Sequence, residues 1–133
     1  MGLRLSIVTP ARPLVETEVD GLVAPGREGE FGVLPGHERF LAPLSAGVLR
    51  YRAGGEEIRV AVAGGFAEVC EDRVTILASS AALPADVDAA QTREELARAE
   101  AALAELGSLS PPDELDQARE RVAAAQARLA LTG

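Results

Sequence analysis

From Leu3 to about Ala82 apolar and polar positions alternate with a period of two. Leu3, Leu5 and Ile7 are separated by Arg4 and Ser6. Ile58, Val60 and Val62 are separated by Arg59 and Ala61, Val74 and Ile76 flank Thr75, and Val48–Arg52 reads the same way. Alternate side chains of a strand point to opposite faces, so this pattern is that of strands with one buried face. Pro25-Gly26, Pro35-Gly36, Gly54-Gly55, Gly64-Gly65 and Glu71-Asp72 supply turn residues between the runs. Short strands at close spacing, with no helical window between them, predict an antiparallel β-sandwich or barrel over residues 1–84. Phe31, Phe40, Tyr51 and Phe66 are the chain's aromatic residues, so aliphatic side chains must fill most of that core.

The period changes at Asp88. Asp88 reads as an N-cap, with Gln91 three residues on as its capping-box partner. Leu96, Ala99, Leu103 and Leu106 then recur at helical spacing, and Gly107 reads as a stop. Ser110-Pro111-Pro112-Asp113 starts a second helix: a cap candidate, prolines in the first turn, and acidic residues near the positive end of the dipole. Leu115, Ala118, Val122, Ala125 and Leu129 form its apolar stripe. Two helices joined by a short connector predict an antiparallel hairpin over residues 85–133, with Leu83-Pro84-Ala85 as the hinge. The fold class is therefore α+β. The hairpin's seam is mostly alanine, so it buries little apolar area and is weakly stable alone. It needs the sandwich or a partner to lean on, and it is suited to switching between them.

Composition removes several function classes. The 133-residue chain has a net charge of −8. An acidic surface disfavours nucleic acid and anionic lipid alike. The 13 basic residues are all arginine, so a P-loop lysine, a Schiff-base lysine and a lysine base are ruled out. Cys70 is the single cysteine, so no internal disulfide forms, and it reads as a small, partly buried hydrophobe. No apolar run has the length of a membrane span or of a signal peptide. Met1-Gly2 begins a bare myristoylation pattern, but Leu3, Leu5 and Ile7 read as the start of a strand. No paired-carboxylate pocket, metal cluster or nucleophile–base set can be named, and the expectation is a protein that is not an enzyme.

The segment Gly26–Leu49, GREGEFGVLPGHERFLAPLSAGVL, combines a polar glycine turn, an apolar triplet, a Pro-Gly-His turn and an apolar run ending in Gly-Val-Leu. It resembles the corresponding stretch of the epsilon subunit of bacterial F-type ATP synthases, named delta in mitochondria. Val62–Ala78, with its Gly-Gly-aromatic-x-Glu-Val run and Val-Thr-Ile-Leu strand, is similar to the same family, and Leu115–Leu131 more loosely so. The resemblance implies a non-catalytic rotor subunit of a proton-translocating ATP synthase. Its sandwich would join the gamma subunit to the c-subunit ring. Its helical hairpin would either fold on the sandwich or extend toward the alpha and beta catalytic subunits and inhibit ATP hydrolysis. The implied location is peripheral, on the cytoplasmic face of a bacterial inner membrane, with membrane contact only through the complex.

The same resemblance assigns candidate residues. Glu28, Gly29, Glu30 and His37 would contact the c ring, while Arg39 stands where the family is usually small or proline. Read by itself, the glycine-rich loop lacks Gly-Lys-Ser/Thr and the dinucleotide spacing, so its glycines serve tight turns. Leu115, Asp116 and Arg119 resemble the signature with which some family members bind a regulatory ATP. However, Glu120 replaces the alanine of that signature and Gln126 its second arginine, which makes the site less cationic. Read alone, Asp116 and Arg119 are a solvated i,i+3 pair. Arg121 and Arg128, a heptad apart, are candidates for the inhibitory contact with the catalytic subunits; Glu120 and the acidic first helix imply modest inhibition. No metal or resident cofactor is expected. The competing class is a free-standing ligand-sensing module with the hairpin as its latch.

Overall fold

The computed structural model of the chain describes residues 2–36 and 39–132. Ten strands form two five-stranded sheets that face each other. The first sheet has the order β2 (Pro13–Val19), β1 (Leu3–Val8), β9 (Arg73–Leu77), β8 (Phe66–Cys70), β5 (Phe40–Pro43). The second has the order β10 (Ser80–Ala82), β7 (Glu56–Ala63), β6 (Gly47–Ala53), β3 (Gly21–Gly26), β4 (Gly29–Val33). The two sheets stay separate, so the sandwich alternative holds and the barrel does not. One pairing departs from the antiparallel expectation. β1 runs parallel to β9, with Leu5 opposite Val74 and Ile7 opposite Ile76. Alternation reveals which face of a strand is buried, but not the direction of a neighbour far away in sequence.

Leu3, Leu5 and Ile7 of β1, Val69 of β8 and Val74 and Ile76 of β9 are fully buried against Leu49 of β6 and Val60 of β7. Apart from Val69, these are positions the period-two pattern marks. The core is aliphatic apart from Tyr51, with Phe31 and Phe40 packed edge-to-face at its margin, ring centres 5.5 Å apart. Turn residues match their geometry. Gly54 and Gly55 have φ of 60° and 82° between paired Ala53 and Glu56, as a two-residue hairpin with a primed turn requires. Pro25-Gly26 is a correction: it ends β3, and the turn falls on Arg27 and Glu28.

Burial raises the Tyr51 phenol above its usual 10.0 by disfavouring the phenolate. The folded state therefore holds the proton to higher pH than the unfolded chain does. The sign follows: this stability is intact below the unfolded value and is lost as pH climbs through the folded one. Urea unfolding between pH about 9 and about 11 should show wild type losing stability faster than Tyr51→Phe. Parallel losses would refute the assignment.

After a single 3-10 turn at Pro84–Asp86 come α1 (Ala89–Glu105) and α2 (Pro112–Ala130). The Asp88 carboxylate accepts the Gln91 N–H at 2.9 Å, as the cap reading expects. The second start is shifted. Pro111, not Ser110, is the cap residue, with ψ of 140° and no capping side chain. Proline restricts the residue before it to extended backbone, and Pro112 has no N–H to be capped. α2 lies on β6 and β7, and α1 packs chiefly on α2. The hairpin is thus an outer layer on the second sheet, and the sandwich core includes no helix residue.

Candidate functional site

Three features of the surface can carry function: the tip of the β3–β4 hairpin, the outer face of the first sheet, and the contact between α2 and the second sheet.

Gly26 and Gly29 close the β3–β4 turn, leaving Arg27 and Glu28 exposed at its tip. A Cβ on Gly26 would lie 2.6 Å from the Gly29 carbonyl, and Gly29 itself has φ of 126°, so both positions need glycine. The tip is tied to the end of β5 and the segment after it: the Arg27 N–H donates to the Pro43 carbonyl at 3.0 Å and the Ser45 N–H to the Pro25 carbonyl at 2.9 Å. Glu30 points its carboxylate at Arg50, 3.6 Å away, and both groups are solvated. The Pro35-Gly36 turn is at the far end of β4, where Asp72 accepts the Gly36 N–H at 3.0 Å. His37 lies outside the described residues. Arg39 is exposed.

The outer face of the first sheet carries an apolar row. Pro43 is opposite Phe66, Phe66 opposite Leu77, and Leu77 opposite Val8, across four strands. Phe66 is 50% exposed and Leu77 52%, with Leu41 beside them at 65%. In the next row Glu68, Thr75 and Ser6 are polar, and Leu41, opposite Glu68, is its β5 member and lies diagonal to Phe66. Directly opposed side chains on one face are neighbours, so the row forms one continuous patch. The sequence shows each of these residues, but their alignment depends on pairings between distant segments.

The hairpin's candidate residues divide. Leu115 is half-buried, while Asp116 and Arg119 form an ion pair at 3.7 Å, 76% and 65% exposed, which is the solvated i,i+3 arrangement. Arg121 is exposed. Arg128 is engaged within the hairpin, donating to Glu95 of α1 at 2.8 Å. In this arrangement its guanidinium staples α1 to α2.

The residues that dock α2 are largely ones the pattern did not single out. Glu120 accepts the Ala46 N–H at 2.8 Å, and Arg59 donates to the Ala130 carbonyl at 3.2 Å, placing a cation at the negative end of the helix dipole. Between them Ala127 and Leu131 pack on Ala61, with Val48 and Val87 at the edge. The available signal was a second stripe, Ala127 and Leu131, offset from the one that faces α1.

Residues 2–84 match the family described as ATP synthase, Delta/Epsilon chain, beta-sandwich domain. The ATP synthase epsilon chain of Nitratidesulfovibrio vulgaris is 44% identical over 122 residues, covering 92% of this chain and 87% of the relative. The epsilon chain of Geobacter metallireducens is 41% identical over 118 residues, covering 89% and 83%. Among solved structures, a chain of the Euglena gracilis mitochondrial ATP synthase OSCP/F1/c-ring assembly superposes with a TM-score of 0.78 at 23% identity, covering 99% of this chain and 82% of its own. A chain of the Tetrahymena thermophila mitochondrial central stalk and c-ring superposes at 0.68 with 15% identity, covering 100% and 98%. At those identities the two structures speak for the fold, while the sequence matches establish descent. The chain belongs to the ATP synthase epsilon-chain family.

Proposed function

We propose that this chain is a non-catalytic rotor subunit of a proton-translocating ATP synthase. Its sandwich (residues 1–84) joins the gamma subunit to the c ring, and its hairpin (residues 85–133) restrains ATP hydrolysis. The two faces of the sandwich support this division. The outer face of the second sheet is occupied by α2. The outer face of the first presents Phe66, Leu77 and Leu41 and is the side on which gamma docks. Glu28, Gly29 and Glu30, at the tip of β3–β4, face the c ring. The subunit sits peripherally on the cytoplasmic face of a bacterial inner membrane.

The observation that carries the regulatory half is how thinly the hairpin is attached. Its buried apolar contact is Ala127 and Leu131 on Ala61, aided by two polar links at Glu120 and Arg59. Such a contact balances against an alternative partner with only a few kcal/mol of bias, about the range in which a minor state is populated at 0.1–10%. In the extended state Arg128 leaves Glu95, and with Arg121 becomes available to an acidic segment of the catalytic subunits. Replacing both carboxylates (Glu95→Gln, Glu120→Gln) removes one part-buried ion pair and one charge-assisted bond and weakens the docked state by about 1–2 kcal/mol. Hydrolysis by a catalytic head with its gamma subunit should then be inhibited several-fold more by the double variant than by wild type. Equal inhibition would rule out a docked-to-extended equilibrium as the control.

A further inference from the structure

Glu68 stands inside the apolar patch of the first sheet. Phe66 precedes it on the same face of β8, Leu41 is opposite it on β5, and Thr75 is opposite it on β9. Leu77, the cross-strand partner of Phe66, is diagonal to it. The exposed apolar side chains Leu41, Phe66 and Leu77 therefore border a single carboxylate. Glu68 is exposed and has no ion pair or hydrogen bond among the described residues. Glu16, at the far end of the same row, is by contrast held by Arg4 at 3.3 Å. Arg73 is diagonal to Glu68 on this face, opposite Cys70, and its guanidinium does not close on the carboxylate.

Water solvates that carboxylate in the free protein. A partner that covers Phe66, Leu77 and Leu41 also covers Glu68 and takes the water away. A carboxylate desolvated without a counter-charge opposes binding, whereas one met by a cation gains a charge-assisted bond. Apolar contact along the row supplies adhesion but does not fix where along the row the partner sits. A charge pair at its margin fixes that register and rejects surfaces that bring no cation. We propose that the segment of the gamma subunit seated on this face carries an arginine or lysine that pairs with Glu68, beside the apolar side chains that cover Phe66 and Leu77. This inference rests on the reading that gamma docks on the first sheet, and it adds the residue that selects the docked segment.

The test is a calorimetric titration of the full-length chain into a catalytic head that carries gamma and has been stripped of this subunit. Glu68→Gln keeps the size and shape of the side chain and removes its charge; the position is exposed, so the fold stays intact. The expected result is binding about thirtyfold weaker or more, because gamma's cation is then covered and unpaired. Unchanged or tighter binding would overturn the proposal, since a carboxylate that is merely covered gains by losing its charge. Arg73→Gln separates the two sources of a cation and should bind within about threefold of wild type. A loss equal to that of Glu68→Gln would show that Arg73 of this chain swings over to neutralise Glu68, and would overturn a cation from gamma. Phe66→Glu combined with Leu77→Glu tests the docking reading itself. If that pair binds as wild type does, gamma sits elsewhere and the proposal falls with the reading. If it abolishes binding while Glu68→Gln does not weaken it, the docking face stands and the proposed charge pair alone is wrong.

Discussion

Gly65→Ala will lower the stability of the sandwich by on the order of 3–5 kcal/mol, a fall of roughly 15 °C or more in Tm for a domain of this size. A Cβ at this position would lie 1.9 Å from the Leu77 carbonyl oxygen and 2.9 Å from the Ala78 Cα, and both are backbone atoms that cannot step aside. The φ of 104° adds a conformation that an L side chain rarely adopts. Relief requires β8 to move away from β9, yet the Gly65 carbonyl is fixed by the Leu44 N–H at 2.8 Å. The same displacement shifts Phe66, so the damage reaches the outer apolar row as well. Gly107→Ala is the control: it has open space and no left-handed backbone, and should change stability by less than about 0.5 kcal/mol. Thermal unfolding of the two variants beside wild type measures the contrast, and similar melting for both would show that the close approach at Gly65 is relieved cheaply.

Phe66→Glu combined with Leu77→Glu will abolish docking on the gamma subunit without unfolding the chain. The two side chains are cross-strand partners, each about half exposed, and they form the centre of the row that runs from Pro43 to Val8. Carboxylates at half-exposed sheet positions remain solvated in the free protein, so the cost is confined to the lost cross-strand pair and the repulsion of two directly opposed charges, about 1–2 kcal/mol. Buried under a partner, they lose water and gain no counter-ion. Central aromatic and aliphatic anchors are worth about 2–4 kcal/mol each when truncated, so the pair should weaken binding at least about a hundredfold. Calorimetric titration of gamma with the variant, checked by its melting curve, gives the answer. Binding within about threefold of wild type would move the gamma interface to another face.

The readable part of this fold is the part governed by local rules. Alternation at Leu3–Ile7 and Ile58–Val62 marks which side chains are buried. Gly54-Gly55 marks a two-residue turn, and Asp88 marks a helix start through a cap that involves residues three apart. What required the structure is whatever depends on pairing over long distance. The parallel alignment of β1 with β9 joins segments some seventy positions apart, and either direction would bury Leu5 and Ile7 equally well. The row Pro43, Phe66, Leu77 and Val8 exists through three registers, of which β8–β9 is a local hairpin and the other two join distant segments. Docking of α2 was legible in kind, since an alanine-poor-in-area seam must lean on something. The latch itself, Glu120 on Ala46 and Arg59 on Ala130, joins residues 74 and 71 apart and leaves no local trace. The candidate residues from the resemblance divide the same way: Glu28 and Gly29 are at a turn tip set by neighbouring glycines, whereas Arg128 is occupied by Glu95 from another helix.

In the proposed division of labour the sandwich docks and the hairpin regulates. The most direct measurement is ATP hydrolysis by a catalytic head with gamma, stripped of this subunit and resupplied with either the full chain or a truncation ending at Ala85. The truncation keeps every residue of the sandwich core, which includes no residue from either helix. Both should bind, and only the full chain should slow turnover. Binding by neither, or equal slowing by both, would contradict it.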